Sequence, residues 1–385
     1  MKIFFLSLYF LLSTLISNPL YSQEKYFCDK NLESFPIQQN GREKPLYVHA
    51  KETIKYLTGK TKVGSYKAIE AYCLLSLVAF GMPLPQDFSL KVKIEHPELQ
   101  KFLELKSPFE IGYADLVLRK DDLRFESVKQ KDENSYKKAI NRVFNQIGLY
   151  TSVTQGTDWM APMIKETQVE WVPITTFLAQ ENVLSTGRGP EGIAQYFARV
   201  QDHFSKIKGG KVSFEYHFAK YDLPFWSFLI ALVSLFALAM NKNRHSLGLT
   251  AKLFVLTTFF TQLIYIICRI YISGRAPITN MYETVLFSGF GALVLALAIG
   301  HYKKDTSFLI VGLCYNALTL LMMNFSGGLL SSSISPLVPV LRDNFWLSTH
   351  VITIILSYGA LALSWVLANL LLLKMRFSTV SSQEL

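Results

Sequence analysis

The stretch FEYHFAKYDLPFWSFLIALVSLFALAM, residues 214–240, changes character at Pro224. Charged residues are interspersed with aromatics before it, whereas no charge occurs from Pro224 to Met240. Four further apolar runs follow at Leu253–Tyr271, Tyr282–Gly300, Ser307–Phe325 and Trp346–Leu373. A helix crosses a bilayer core in about twenty residues. The series therefore predicts an α-helical membrane protein with about five transmembrane helices. Upstream of Asp222 the residues are mixed and polar, so Pro224 marks a change of solvent.

The N-terminus, MKIFFLSLYFLLSTLISNPLYSQ, combines Lys2, an apolar stretch and small or polar residues near Ser22. It reads as a secretory signal peptide cleaved after Ser22, or as an uncleaved N-terminal anchor. Either way the region that follows is exported. The expected organisation is a signal peptide or anchor at 1–22, an extracytoplasmic domain at 23–222, a membrane domain at 223–376 and a cytoplasmic tail at 377–385. Five crossings that start outside leave the C-terminus inside.

Charge placement agrees with that topology. Residues 23–222 hold 28 basic against 25 acidic side chains, so little of the net charge of +10 lies there. Lys242, Arg244, Lys252, Lys303, Lys304, Lys374 and Arg376 fall in predicted cytoplasmic loops or ends, against Arg269, Arg275 and Arg342 on the outer side. This is the bias of the positive-inside rule and argues against a nucleic-acid partner. The lipid bilayer is the partner that composition implies.

Within the exported region, helical spacing occurs at Tyr47–Leu57, Ser65–Phe80, Pro97–Leu105, Ser135–Thr151 and Gly192–Ile207. Leu90–Ile94 and Val212–Tyr216 read as short strands, giving a mostly helical domain with minor β content. Cys28 and Cys73 form a disulfide or stand as two thiols. No CxxC or CxxCH occurs, so neither thiol-oxidoreductase nor c-type cytochrome chemistry is indicated. Paired carboxylates, a phosphate-binding glycine loop and a nucleophile triad are also missing from the pattern.

Two predicted outer loops carry the chemistry. Ser273–Phe287, SGRAPITNMYETVLF, gathers Arg275, Asn280, Tyr282 and Glu283 near the membrane surface. Charges at that depth reach water, pair or serve a ligand, and interfacial anchoring with an Arg275–Glu283 ion pair is the simplest reading. The second loop begins at SGGLLSSS, from Ser326, and leads to LVPVLRDNFWLSTHV, with His350 one helical turn after Trp346. An imidazole there suits haem iron, with an aromatic to stack on the porphyrin; an interfacial histidine without metal is the plainer alternative.

SGRAPITNMYETVLF resembles the loop of the CcsA/ResC family in which a Pro-x-[ST]-Asn-x-Tyr-Glu segment precedes a membrane helix. LVPVLRDNFWLSTHVITIILSYGALAL resembles that family's Leu-Val-Pro-x-Leu-x-x-x-Trp-Leu-x-x-His segment and its following helix, here with Ser357 and Tyr358. FPIQQNGREKPLYVHAKETIKYLTGK, from Phe35, is similar to the segment opening the exported domain of some long members. FEYHFAKYDLPFW is similar to the one leading into their membrane domain. The four resemblances run in order from Phe35 to Ala362.

The resemblance implies cytochrome c maturation in a bacterial inner membrane, with the large domain on the periplasmic side. A family member works with a CcsB/ResB-like membrane subunit, carries haem b to the outer face and presents it to the CxxCH thiols of apocytochrome c. His350 takes the place of the first of two external haem-ligating histidines, with Trp346, Arg275, Asn280, Tyr282 and Glu283 as candidate supports. The family's WWD segment, a later intramembrane histidine and the second external histidine have no counterpart before Leu385. Either a separate subunit with the WWD segment supplies them, or the gene is split or frame-shifted, or the protein has taken another role; haem attachment would require a complementary subunit. A non-catalytic assembly scaffold of the same complex is the alternative; a membrane transporter or sensor is a second. Among the exported histidines, His217 lies a few residues before the first membrane helix and is a further candidate ligand; a solvated surface role is the plainer reading for it as for His49, His96 and His203.

Overall fold

A computed structural model of the chain describes residues 32–130, 132–180, 190–240, 248–326, 330–334 and 344–377. The expected leader at 1–22, Cys28, Lys242, Arg244, Arg342 and the tail from residue 378 lie outside the described residues. So do 335–343, most of the approach to the last helix.

The N-terminal region begins with a hairpin of β1 (Pro36–Gln39) and β2 (Arg42–Pro45). Its two turn residues, Asn40 and Gly41, both have positive φ, 51° and 78°. That backbone twist matches the twist of the flanking strands. Helix α1 (Leu46–Thr58) stops at Gly59 in the left-handed conformation, as the Gly there suggests. The small hairpin β3 (Lys62–Val63) and β4 (Tyr66–Lys67) leads to α2 (Ala68–Leu77), then β5 (Lys91–Lys93) and α3 (Pro97–Phe102). Next come β6 (Glu110–Gly112), α4 (Tyr113–Leu118), α5 (Lys120–Lys129) and α6 (Ser135–Thr154). Strands β7 (Met160–Lys165) and β8 (Gln168–Pro173) precede α7 (Ile174–Gln180), α8 (Pro190–Lys208) and α9 (Lys211–Tyr221).

The strands form an antiparallel sheet of order β2-β1-β7-β8 and two separate two-stranded sheets, β3-β4 and β5-β6. Helices α1, α2 and α6 pack together beside them over one continuous core. Phe35, Trp159, Phe177 and Phe197 meet in its centre, Phe35 and Phe197 with ring centroids 4.7 Å apart. Cys73 is fully buried in the same core and is disulfide-bonded.

One expectation is corrected here, and two elements are added to those expected. Val212–Tyr216 is helical, within α9, because its alternating pattern is equally that of a helix with one buried stripe, Val212 and Glu215. Lys120–Lys129, outside the stretches of helical spacing, forms α5, a helix with Leu123 as its single buried residue. The β7-β8 hairpin was not foreseen. The buried residues of β7, Ala161 and Pro162, are adjacent, so burial does not alternate along that strand.

After α9 the chain turns at Asp222, where φ is 44°, and enters α10 (Leu223–Ala239) with a 41° bend. Helices α11 (Leu249–Ser273), α12 (Met281–Lys303), α13 (Ser307–Phe325) and α14 (Asn344–Phe377) follow. Among the described residues, four helices are long and apolar enough to cross a membrane, or five if the bent pair α9–α10 forms one span. At 1.5 Å per residue, the 17 residues of α10 reach only about 26 Å, near the lower limit for a bilayer core.

Small residues let these helices approach closely. A Cβ at Gly312 of α13 would lie 2.2 Å from the Ala296 Cβ of α12, and one at Gly359 of α14 would lie 3.0 Å from the Ser288 carbonyl of α12. Such contacts drive association where lipid removes the hydrophobic effect between helices. A polar pair ties another interface: Gln262 of α11 and Asn316 of α13 exchange amide hydrogen bonds of 2.8 and 2.9 Å, fully buried. Helix α14 packs against α12 and α13 along one side and is otherwise exposed.

Candidate functional site

The polar residues of the loop at 274–280 and its flanking helices converge on a buried ion pair. Asn280 is the N-cap of α12, its side chain accepting from the Glu283 backbone N–H at 2.9 Å. That cap turns Glu283 inward, where one carboxylate oxygen accepts from Arg269 Nε at 3.0 Å. The other accepts from the Thr279 backbone N–H at 2.8 Å and its hydroxyl at 3.0 Å. Arg269 and Glu283 are 2% and 1% exposed, so this pair is shielded from solvent and lipid.

Tyr282 and Tyr265 share a hydroxyl–hydroxyl hydrogen bond of 3.0 Å, and the Arg269 guanidinium lies 5.2 Å from the Tyr282 ring centroid. The cation thus has carboxylate on one side and an aromatic face on another. The ion pair expected between Arg275 and Glu283 is replaced by Arg269–Glu283; Arg275 sits half-buried in the loop. Glu283 and Tyr282 therefore work in the helix interior. Their polar groups are already engaged.

The same cluster reaches across to residues 332–334. Arg269 donates to the Ser332 carbonyl at 3.0 Å, Asn280 to the Ser333 carbonyl at 3.2 Å, and Arg42 to the Ile334 carbonyl at 2.9 Å. Three successive carbonyls are thus held by donors from α11, from the cap of α12 and from strand β2. Arg42 also pairs with Glu215 of α9, which is 4% exposed. Burial pushes the Glu215 carboxyl up, and the Arg42 charge offsets that only in part, leaving it above its ordinary value. Nearby, Glu33 accepts from Tyr216 and from Lys220, the latter at 3.1 Å, further fixing α9. The network joins the N-terminal region to the end of the helix bundle.

His350 and Trp346 stand apart from this cluster. Both are exposed on the first turns of α14, one helical turn from each other. Of the residues singled out in sequence, the structure brings together Asn280, Tyr282 and Glu283, with Arg275 in the adjoining loop. It does not bring His350 or Trp346 into contact with them. Arg42, Glu215, Tyr265 and Arg269 were missed as participants. Arg269 carried a signal, being a cation inside an otherwise apolar run, and a buried Glu needs such a partner.

The exported histidines also need one correction. His203 and His217 are exposed and His96 is half-buried, but His49 is fully buried. Its Nε2 lies 2.7 Å from Asp158 Oδ2 and 3.0 Å from the Tyr72 hydroxyl. Burial pushes the Asp158 carboxyl up, but the hydrogen bonds and charge of His49 together with the Tyr72 hydroxyl outweigh it and hold it below its ordinary value. Among the described residues, no three His, Cys, Asp or Glu side chains group as a metal-binding cluster.

Fold and polar cluster together define a multi-pass helical membrane protein, preceded by a mixed helix and strand region that is hydrogen-bonded to one end of the bundle. No protein-family model matches the chain. Stretches of it are similar to cytochrome c biogenesis protein CcsA from several sources. Identity is 35% over 103 residues with that of Guillardia theta, covering 26% of this chain and 33% of the relative. It is 32% over 117 residues with that of Trieres chinensis, covering 30% and 36%. With that of Prochlorococcus marinus subsp. pastoris it is 32% over 156 residues, covering 40% and 45%. Over these partial stretches the chain is similar to CcsA proteins, and it spans between a third and a half of the length of these relatives.

Proposed function

We propose that this chain works in cytochrome c biogenesis, holding haem b as cargo at the outer face of a bacterial inner membrane for attachment to apocytochrome c. The observation that carries this reading is its similarity to several proteins named CcsA. The excess of basic residues in the predicted cytoplasmic loops supports placing the N-terminal region on the periplasmic side.

Within this reading His350 supplies one axial nitrogen, and Trp346, a turn away on the same helix, supplies an aromatic surface for the porphyrin edge. An exposed imidazole on one helix is half of a six-coordinate site. In this reading the opposite ligand, the WWD segment and the walls of the haem pocket lie outside residues 1–385, and a CcsB/ResB-like membrane subunit is the partner. Arg269, Asn280 and Arg42 hold residues 332–334, from which the chain continues toward α14. A scaffold role in the same complex is the second reading, supported by the exposed flank of α14, which suits a helix of another subunit.

Deleting the gene tests the proposal in the cell. Covalently bound haem, the fraction that survives denaturing electrophoresis, is expected to disappear, with non-covalent b-type haem unchanged. Normal levels of covalent haem in the deletion strain would overturn it.

A further inference from the structure

The N-terminal region contains a cleft of about 950 Å³ far in sequence from the outer-loop cluster. It is bordered by the end of α1 and the β3 turn, by β5 with its flanks from Ser89 to Pro97, and by α6. Six cations line it: Lys60, Lys62, Lys91, Lys93, Lys138 and Arg142. Against them stand only Glu95 and Glu110, and Glu110 is approached by Lys60 at 3.9 Å. The other five cations are exposed and enter no ion pair among the described residues. A groove lined by one sign of charge concentrates ligands of the other.

The floor of this cleft has a second property. Strand β5 pairs with β6 alone, in the register Lys91↔Gly112, Val92↔Ile111 and Lys93↔Glu110. The Ile94 backbone N–H donates to the Phe109 carbonyl and the Leu90 carbonyl accepts from the Tyr113 N–H. In an antiparallel pair, alternate residues direct their backbone groups toward the partner. Residues 90, 92 and 94 face β6 in this way, so the N–H and C=O groups of Lys91 and Lys93 point to the opposite edge. No strand covers that edge among the described residues. Val92 is buried while the Lys91 and Lys93 side chains are both exposed, as the alternation of a strand requires.

We infer that this cleft is a peptide-binding site, which takes an extended segment with acidic side chains at alternate positions as an added strand on β5. The free backbone edge supplies main-chain hydrogen bonds, and the cations select carboxylates on one face of the guest strand. A free phosphate or an anionic lipid headgroup shares the charge but has no use for the strand edge. The peptide is therefore the occupant that both observations favour.

The probe is a fluorescein-labelled, end-capped heptapeptide of alternating Glu and Val, titrated by anisotropy against the full chain in neutral detergent. Saturable binding is expected, weakened about tenfold or more by the double variant Lys91→Glu/Lys93→Glu and by raising salt to about 0.5 M. Both lysines are exposed, and an unchanged far-ultraviolet circular dichroism spectrum verifies that the variant folds. N-methylation of one of the two alternating sets of peptide amides should abolish binding while the other set is tolerated. Equal binding of a Lys/Val peptide, indifference to the double variant, or indifference to both methylation patterns would overturn the inference. So would full displacement by millimolar inorganic phosphate, or binding to phosphatidylglycerol vesicles that depends on Lys91 and Lys93 with no binding of the peptide.

Discussion

Replacing Arg269 by alanine is expected to destabilise the helix bundle by about 3–5 kcal/mol, because it strands the Glu283 carboxylate in a site that is shut off from water. Thr279 still donates two hydrogen bonds to that carboxylate, but neither neutralises its charge. The variant also frees the Ser332 carbonyl and removes the cation from the Tyr282 ring. Thermal unfolding in detergent measures the effect. The double variant Arg269→Met/Glu283→Gln should recover much of the loss, since no charge remains buried and a glutamine oxygen still accepts from Thr279. A single variant as stable as the wild type would show that the ion pair does not hold the α11–α12 junction.

Arg42→Ala is expected to cost about 3 kcal/mol at neutral pH, by leaving Glu215 buried without its cation. Its pH dependence follows from burial. In the wild type the Glu215 carboxyl already lies above its ordinary value of 4.5, and loss of Arg42 raises it further. Between the unfolded and folded values the folded chain binds more protons, so stability increases as pH falls through that window. The deficit of the variant is therefore largest near pH 7.5 and shrinks toward about pH 5. Glu215→Gln should partly rescue it at neutral pH. Unfolding midpoints at both pH values check the sign; a deficit that grows on acidification would contradict the assignment. Protease access near residues 332–334 should also increase, because Arg42 is one of three donors holding that segment.

The membrane helices were legible in the sequence because each needs a long apolar run, and length and composition alone mark it. The ends of α10 were legible too, since the run Pro224–Met240 becomes the helix Leu223–Ala239; the bend at Asp222 that precedes it was not, because nothing in the apolar run announces it. The resemblance at Phe35, at Phe214 and at Ser273 pointed to three separate segments. In space Arg42 and Glu215 from the first two meet the Asn280 cap from the third at residues 332–334. One-dimensional spacing cannot show such convergence, and for the same reason Glu283 was matched with the nearer Arg275 instead of Arg269. His49 reads as a polar residue on an amphipathic helix, yet its partners lie 23 and 109 residues away.

The most direct test of the proposed role is the absorption spectrum of the chain co-purified with its complementary subunits, in wild type and in His350→Ala. The account predicts a low-spin b-type spectrum for the wild-type complex and loss of haem, or conversion to high-spin haem, in the variant, with added imidazole restoring the low-spin bands. The same haem content and an unchanged low-spin spectrum in His350→Ala would contradict it.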